Sequence, residues 1–245
     1  MGITISYISF SLKERTKIIK RYFRVSLLCY NSSVGDKMEP KYKYMDTVEF
    51  SSKDKTYSGK IQTYKNEGEI VYDILGIDTC VGTMFKDIKE SSIIRKISKT
   101  VLCYIERNDK YLMLLRNKRK NDYNKDKWLG IGGHIMNKED KEDALIREVK
   151  EETGLDLLDY KERGIIYFHD TNYLEIMYLY TSNSFRGFLT PCDEGTLAWI
   201  EKKEIFNLNL WDGDKYFLKE MMDTCEYFEM HLYYEDGNFI RSEKI

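Results

Sequence analysis

The chain is poor in the residues that staple, anchor or steer a protein. Five cysteines (Cys29, Cys80, Cys103, Cys192 and Cys225) are scattered in 245 residues, odd in number and without a CxxC pair. That excludes a disulfide framework and a cysteine zinc site, and fits reduced thiols in a cytoplasm. No run approaches the roughly 18 apolar residues of a membrane-spanning helix. The opening MGITISYISFSLKERTK lacks a leading basic segment and a sustained apolar core, so no signal peptide is expected. Net charge is only −2, with 39 Lys and Arg against 41 Asp and Glu, which gives no general drive toward nucleic acid or membrane. Prolines number two, and together with abundant Lys, Ile, Tyr and Asn this resembles the composition expected of a bacterium with an AT-rich genome.

What is present concentrates between Gly133 and Leu155, GHIMNKEDKEDALIREVKEETGL. Asp140 suits a helix N-cap and Gly154 a left-handed C-terminal turn. Ala144, Leu145, Val149 and Leu155 supply the apolar positions between them. Glu148, Glu151 and Glu152 stand in the i, i+3, i+4 relation and share one side of the helix. Three carboxylates so close repel one another unless a cation lies between them, and a hard divalent ion with oxygen ligands, Mg2+ or alternatively Mn2+, resolves this. Arg147 lies one turn before Glu151 and can orient a carboxylate. A solvated charged face is the plain alternative; the double-glycine entry, the cap and the arginine within the cluster weigh against it. Two roles are open to Glu139, metal ligand or keeper of the loop.

The spacing from Gly133 through Glu139, Arg147-Glu148, Glu151-Glu152 and Gly154 matches every fixed position of the Nudix hydrolase signature. The resemblance extends beyond it, through KYLMLLRNKRKN, DKWLGIGGHI, CDEGTLAWI and NLWDGDKYF, to the MutT-like branch, whose members remove oxidised purine nucleoside triphosphates such as 8-oxo-dGTP. It implies an α/β/α sandwich with a mixed sheet over residues 98–245. It implies that Glu148, Glu151 and Glu152 hold metal, that the Gly132 carbonyl is a further ligand, and that Glu194 serves as ligand or base. It implies that Gly133, Glu139 and Gly154 shape the box. Phe168, Trp211 and Asp214 match residues lining the purine pocket, although Asp214 also suits a helix cap. Two positions depart from the pattern: Gly213 stands where the family has the first of two aspartates, and Leu129 where it has asparagine. Both changes remove hydrogen-bond partners for a base. Lys118, Arg119 and Lys120 are placed to attract a triphosphate or to be a solvated loop. His134 either touches phosphate or closes the turn.

A chain of 245 residues suggests one domain plus an attachment. Residues 1–37 carry seven basic residues against two acids. They read as a basic helix capped by Ser11, with Ile18, Ile19, Phe23 and Leu27 on one face. Residues 38–97 read as short strands with polar turns, the pattern of a small all-β, SH3-like barrel. Contact with nucleic acid or protein through residues 1–97 is one use for such an attachment; a spacer is another. Three functions compete: a purine nucleoside triphosphate pyrophosphohydrolase, a Nudix hydrolase of ADP-ribose, a dinucleotide or a nucleotide sugar, and a nucleotide-sensing regulator. No proline-bearing motif downstream of the box favours ADP-ribose.

Overall fold

A computed structural model describes residues 39–66, 68–77 and 82–245. The basic helix expected within residues 1–37, and Cys29 and Cys80, lie outside them. Four strands, β1 (Thr47–Ser52), β2 (Lys55–Asn66), β3 (Ile70–Gly76) and β4 (Met84–Lys89), form an antiparallel meander. A 3-10 turn at Glu90–Ser92 then sends β5 (Ile93–Arg107) back alongside β1. Burial alternates along β3, so Ile70, Tyr72 and Ile74 meet Tyr42, Val48, Phe50, Ile61 and Ile93 in a core of their own.

β5 is long enough to serve two layers. Its first half pairs with β1, and its later residues pair with β8 (Ile131–His134), with β6 (Lys110–Leu115) and, in parallel, with β10 (Tyr173–Arg186). The boundary placed at 97/98 from the sequence therefore falls inside a single strand. Beyond β10 follow β9 (Asp156–Asp170), β12 (Phe228–Glu235) and β13 (Asn238–Lys244), while β11 (Thr196–Glu201) and β7 (Trp128–Leu129) flank β6. The run DKWLGI reads from the sequence as one strand over 126–131, but the chain makes two, with a break at Gly130. At Gly130 the chain changes partner from β6 to β5, and a Cβ there would come within 3.0 Å of the Cys103 carbonyl oxygen.

Alternation along β5 sets the layers. Val101, Cys103 and Ile105 pack with Ala144, Leu145 and Val149 of helix α1 (Lys141–Thr153). Leu102 and Tyr104 face the other way, onto Phe217, Leu218 and Met221 of helix α2 (Asp214–Asp223). The mixed sheet thus lies between two helices. The carbonyls at the end of α2 accept from a buried arginine: Arg163 donates to Met221 at 3.1 Å and to Thr224. Among the described residues no helix is long and apolar enough to cross a membrane.

Candidate active site

The box sequence folds as its residues dictate. The Asp140 carboxylate accepts from the Asp143 amide at 2.8 Å, and Gly154 ends α1 at φ 77°, where a side chain would be strained. β8 delivers the glycine pair against the helix. A Cβ on Gly133 would lie 2.6 Å from the Glu148 carboxyl, so only glycine admits that carboxyl. The Gly132 amide donates to Glu152 Oε2 at 3.0 Å, which ties the strand to the C-terminal part of the helix.

The acidic groups fall into two sets, each organised by an arginine. Arg147 grips Glu139 through Nε at 2.7 Å and Nη2 at 2.9 Å. Its Nη1 reaches Glu148 at 2.7 Å and Glu151 at 3.2 Å, and Nη2 also donates to the His134 carbonyl at 3.1 Å. Glu139 in turn accepts the Met136 amide at 2.8 Å, so its carboxylate is engaged in holding the loop. These hydrogen bonds with Glu139 push the Arg147 guanidinium above its ordinary range and hold the Glu139 carboxyl below its own.

Arg116, which the sequence reading did not single out, organises the second set. It hydrogen-bonds Glu194, approaches Glu152 at 3.8 Å and pairs with Asp122 at 2.7 Å. Arg119 holds the other Glu194 oxygen at 2.6 Å. Lys118 donates to the Cys192 carbonyl at 2.5 Å and so braces the segment that carries Glu194. Glu152 is only 5% exposed. Burial, with Glu194 and Glu148 nearby, pushes its carboxyl up to about 8 despite the Gly132 amide and Arg116. Burial raises the Glu148 carboxyl as well, against the pull of Arg147.

Among the described residues no three His, Cys, Asp or Glu groups converge on one point, because the arginines stand between the acids. Buried carboxyls whose charged form is disfavoured by burial and by each other are nevertheless what a hard divalent cation relieves. The donor set fits such an ion, with Glu148, Glu151, Glu152 and Glu194 able to hold it once the arginines yield.

Beside this cluster lies an aromatic site. Tyr123, in the loop between β6 and β7, stacks on Trp211 with centroids 5.2 Å apart and planes at 17°. Trp211 Nε1 donates to Asn124 at 2.8 Å, and Lys127 Nζ sits 4.8 Å from the indole. Tyr234 packs on Phe168 at 4.4 Å and edge-on to Trp211 at 6.3 Å. Its hydroxyl accepts the Gly213 amide at 2.8 Å. Asp214 is 7% exposed. Burial first, and Glu175 second, push its carboxyl up to about 7. The helix-cap role open to Asp214 is not realised, since Gly213 occupies the cap position of α2 without a side-chain bond. Asp122 and Tyr123 are consecutive, one bound to Arg116 and the other stacked on Trp211, so one loop serves both sites. The sequence signal for that loop was a lone aromatic within the polar run NKRKNDYNKDK. His169 and His231 lie in a stacked row on the sheet, 2.7 Å apart between ring nitrogens.

The NUDIX domain family model matches residues 96–221, just over half of the chain. An uncharacterized Nudix hydrolase of Bacillus subtilis, YvcI, is 27% identical over 132 residues, 51% of this chain and 80% of that protein. The mouse oxidized purine nucleoside triphosphate hydrolase is 26% identical over 131 residues, 53% of this chain and 83% of that protein. A MutT protein from Bacillus halodurans shares the fold with a TM-score of 0.54 at 21% identity, covering 60% of this chain and 97% of that one. The chain belongs to the Nudix hydrolase family of pyrophosphohydrolases, and its fold is that of a MutT protein. Enzymes of this family generally use divalent metals such as Mg2+ and act on nucleotides.

Gly133→Ala is expected to lower turnover by about tenfold or more, because the new methyl displaces the Glu148 carboxyl. Wild-type turnover would show that this carboxyl moves aside freely. Divalent-metal affinity, measured by calorimetry, is expected to weaken as pH falls below about 8 if an ion takes the Glu152 carboxylate, since it must then displace that proton. The same shift makes stability of the metal-free protein fall as pH rises from the ordinary carboxyl range through about 8, since over that window the folded state binds the proton that the unfolded state has lost. Metal affinity flat between pH 6 and 8 would contradict the burial argument.

Proposed function

We propose that the protein hydrolyses purine nucleoside triphosphates, oxidised ones such as 8-oxo-dGTP among them, to monophosphate and pyrophosphate. The observation that carries this reading is the pairing of two sites on one loop: a carboxylate cluster, and an aromatic cluster whose Tyr234 lies near the buried Asp214 carboxyl. Trp211 and Phe168 offer faces to a base, and Tyr123 completes the stack. The Asp214 carboxyl, pushed up to about 7, is able either to donate to or accept from a purine edge at neutral pH. The mouse relative, an oxidized purine nucleoside triphosphate hydrolase, supports this choice.

Glu148, Glu151 and Glu152 are the residues assigned to hold Mg2+ (or Mn2+), with the Gly132 carbonyl and Glu194 as further donors. When bound, the ion supplies charge stabilisation on the phosphate oxygens. Arg147 fixes the orientation of Glu148 and Glu151 through its bonds to both and to Glu139. Glu194, flanked by Arg116 and Arg119, is assigned to take the proton of the attacking water as the phosphoanhydride bond breaks. Lys118 acts on the substrate indirectly, by bracing the Glu194 segment. Residues 38–97 are assigned as an SH3-like accessory barrel, on the strength of the meander, the 3-10 turn and the return of β5 to β1. The free thiols of Cys103, Cys192 and Cys225 accord with a cytoplasmic location.

The test is release of pyrophosphate and phosphate from 8-oxo-dGTP, dGTP, dATP, dCTP, ADP-ribose and a diadenosine polyphosphate, with Mg2+ and with EDTA. Metal-dependent pyrophosphate release with kcat/KM highest for the purine triphosphates is the expected result. Turnover confined to ADP-ribose or dinucleotides would remove Phe168, Trp211 and Asp214 as purine readers.

A further inference from the structure

A hydrogen bond from Lys60 joins the accessory strands to the turn that precedes the box helix. Lys60 on β2 lies opposite Thr47 of β1, and Thr47 lies opposite Ile97 of β5. This cross-strand row puts Lys60 on the same side of the sheet as Ile97, two residues before Lys99, whose carbonyl accepts the Ile135 amide at 2.9 Å. From there the Lys60 ammonium donates to Asn137 Oδ1 at 2.6 Å.

Asn137 sits in a turn that needs holding. The Glu139 amide closes it onto the Met136 carbonyl at 3.1 Å, with Lys138 at φ 71°, the left-handed region that a residue with a Cβ occupies at a cost. Two side chains clamp the turn. Glu139 takes the Met136 amide from within, and Lys60 takes Asn137 from the accessory layer. The same Glu139 carboxylate is the bidentate partner of Arg147, which in turn holds Glu148 and Glu151.

We propose that Lys60 is a positioning residue for the metal box: by clamping Asn137 it fixes the Met136–Glu139 turn, and through Glu139 and Arg147 it sets the carboxylates for a divalent cation. The accessory layer is thereby part of the catalytic apparatus without touching substrate. The proposal rests on the metal assignment made under Proposed function. A flexible lysine stem bonded to an amide contributes modestly, so the effect is graded rather than absolute.

The experiment uses the full chain as wild type, Lys60→Met, which keeps the stem and removes the donor, and Lys60→Arg, which restores one. Amide hydrogen exchange over residues 136–139 is followed in EDTA, and Mn2+ binding is followed by the paramagnetic resonance of the free ion. Lys60→Met is expected to speed exchange in the turn and to weaken Mn2+ binding by about threefold to tenfold, with Lys60→Arg returning both toward wild type. Unchanged exchange in the turn, or unchanged Mn2+ affinity, overturns the proposal. Wild-type protein that takes up no Mn2+ overturns the metal assignment beneath it, and the exchange data tell the two failures apart.

Discussion

Replacing Glu152 with glutamine is expected to lower kcat by about two to three orders of magnitude while leaving the fold intact. Glutamine has nearly the same shape and keeps an oxygen for the Gly132 amide, now met at 3.0 Å. It cannot ionise. In the metal-free protein this matters little, since burial already pushes the Glu152 carboxyl up to about 8 and keeps it mostly protonated at neutral pH. On the metal-bound path it removes a full negative charge from the ion's surroundings. The thermal midpoint in EDTA should therefore match or exceed that of wild type above pH 7, while turnover collapses. A variant with near-normal kcat would take Glu152 out of the metal site. A variant that melts much earlier would show that the carboxyl serves the fold instead.

Trp211→Ala is expected to raise KM for purine triphosphates by about tenfold or more, with a much smaller change in kcat. Stacking of a base on an aromatic ring is worth about 1–3 kcal/mol, which spans that range. The indole is part of a larger assembly: Tyr123 lies against its face at 5.2 Å, and Asn124 accepts from its Nε1 at 2.8 Å. Loss of the ring therefore frees the loop that also carries Asp122, the partner of Arg116. A part of the effect should reach kcat by that route. Steady-state kinetics with dATP and dCTP separate the readings. A purine-selective rise in KM supports stacking, and equal rises for both bases would remove Trp211 from base recognition.

The box was legible because its constraints are local. An aspartate before the helix, a glycine after it and glutamates at helical spacing fix the cap, the turn and the shared side without reference to the rest of the chain. The Asp-Gly pair at 236–237 marks a hairpin turn by residue type alone, and both residues sit at positive φ between β12 and β13. The strand expected at 126–131 was less well read, because the switch of partner at Gly130 depends on Cys103 of β5, a residue remote in sequence. Glu139 carried two open roles in the sequence; its choice of Arg147 and the Met136 amide is a matter of which groups the folded loop brings near. Arg116 had no motif to mark it. Its importance comes from being the last residue before a loop that closes over Glu194 and Glu152.

By itself, then, the sequence determined the family, the helix of acids and the aromatic residues available for a base, since each rests on residue type at short spacing. Tertiary structure alone decided that Arg116 reaches Glu194 and Glu152, that Tyr123 stacks on Trp211, and that a lysine of the accessory layer reaches the box turn. Arg116 and Glu194 are 78 positions apart and Lys60 and Asn137 are 77 apart, and chain connectivity does not specify such contacts until the β5 strand joins both layers into one sheet.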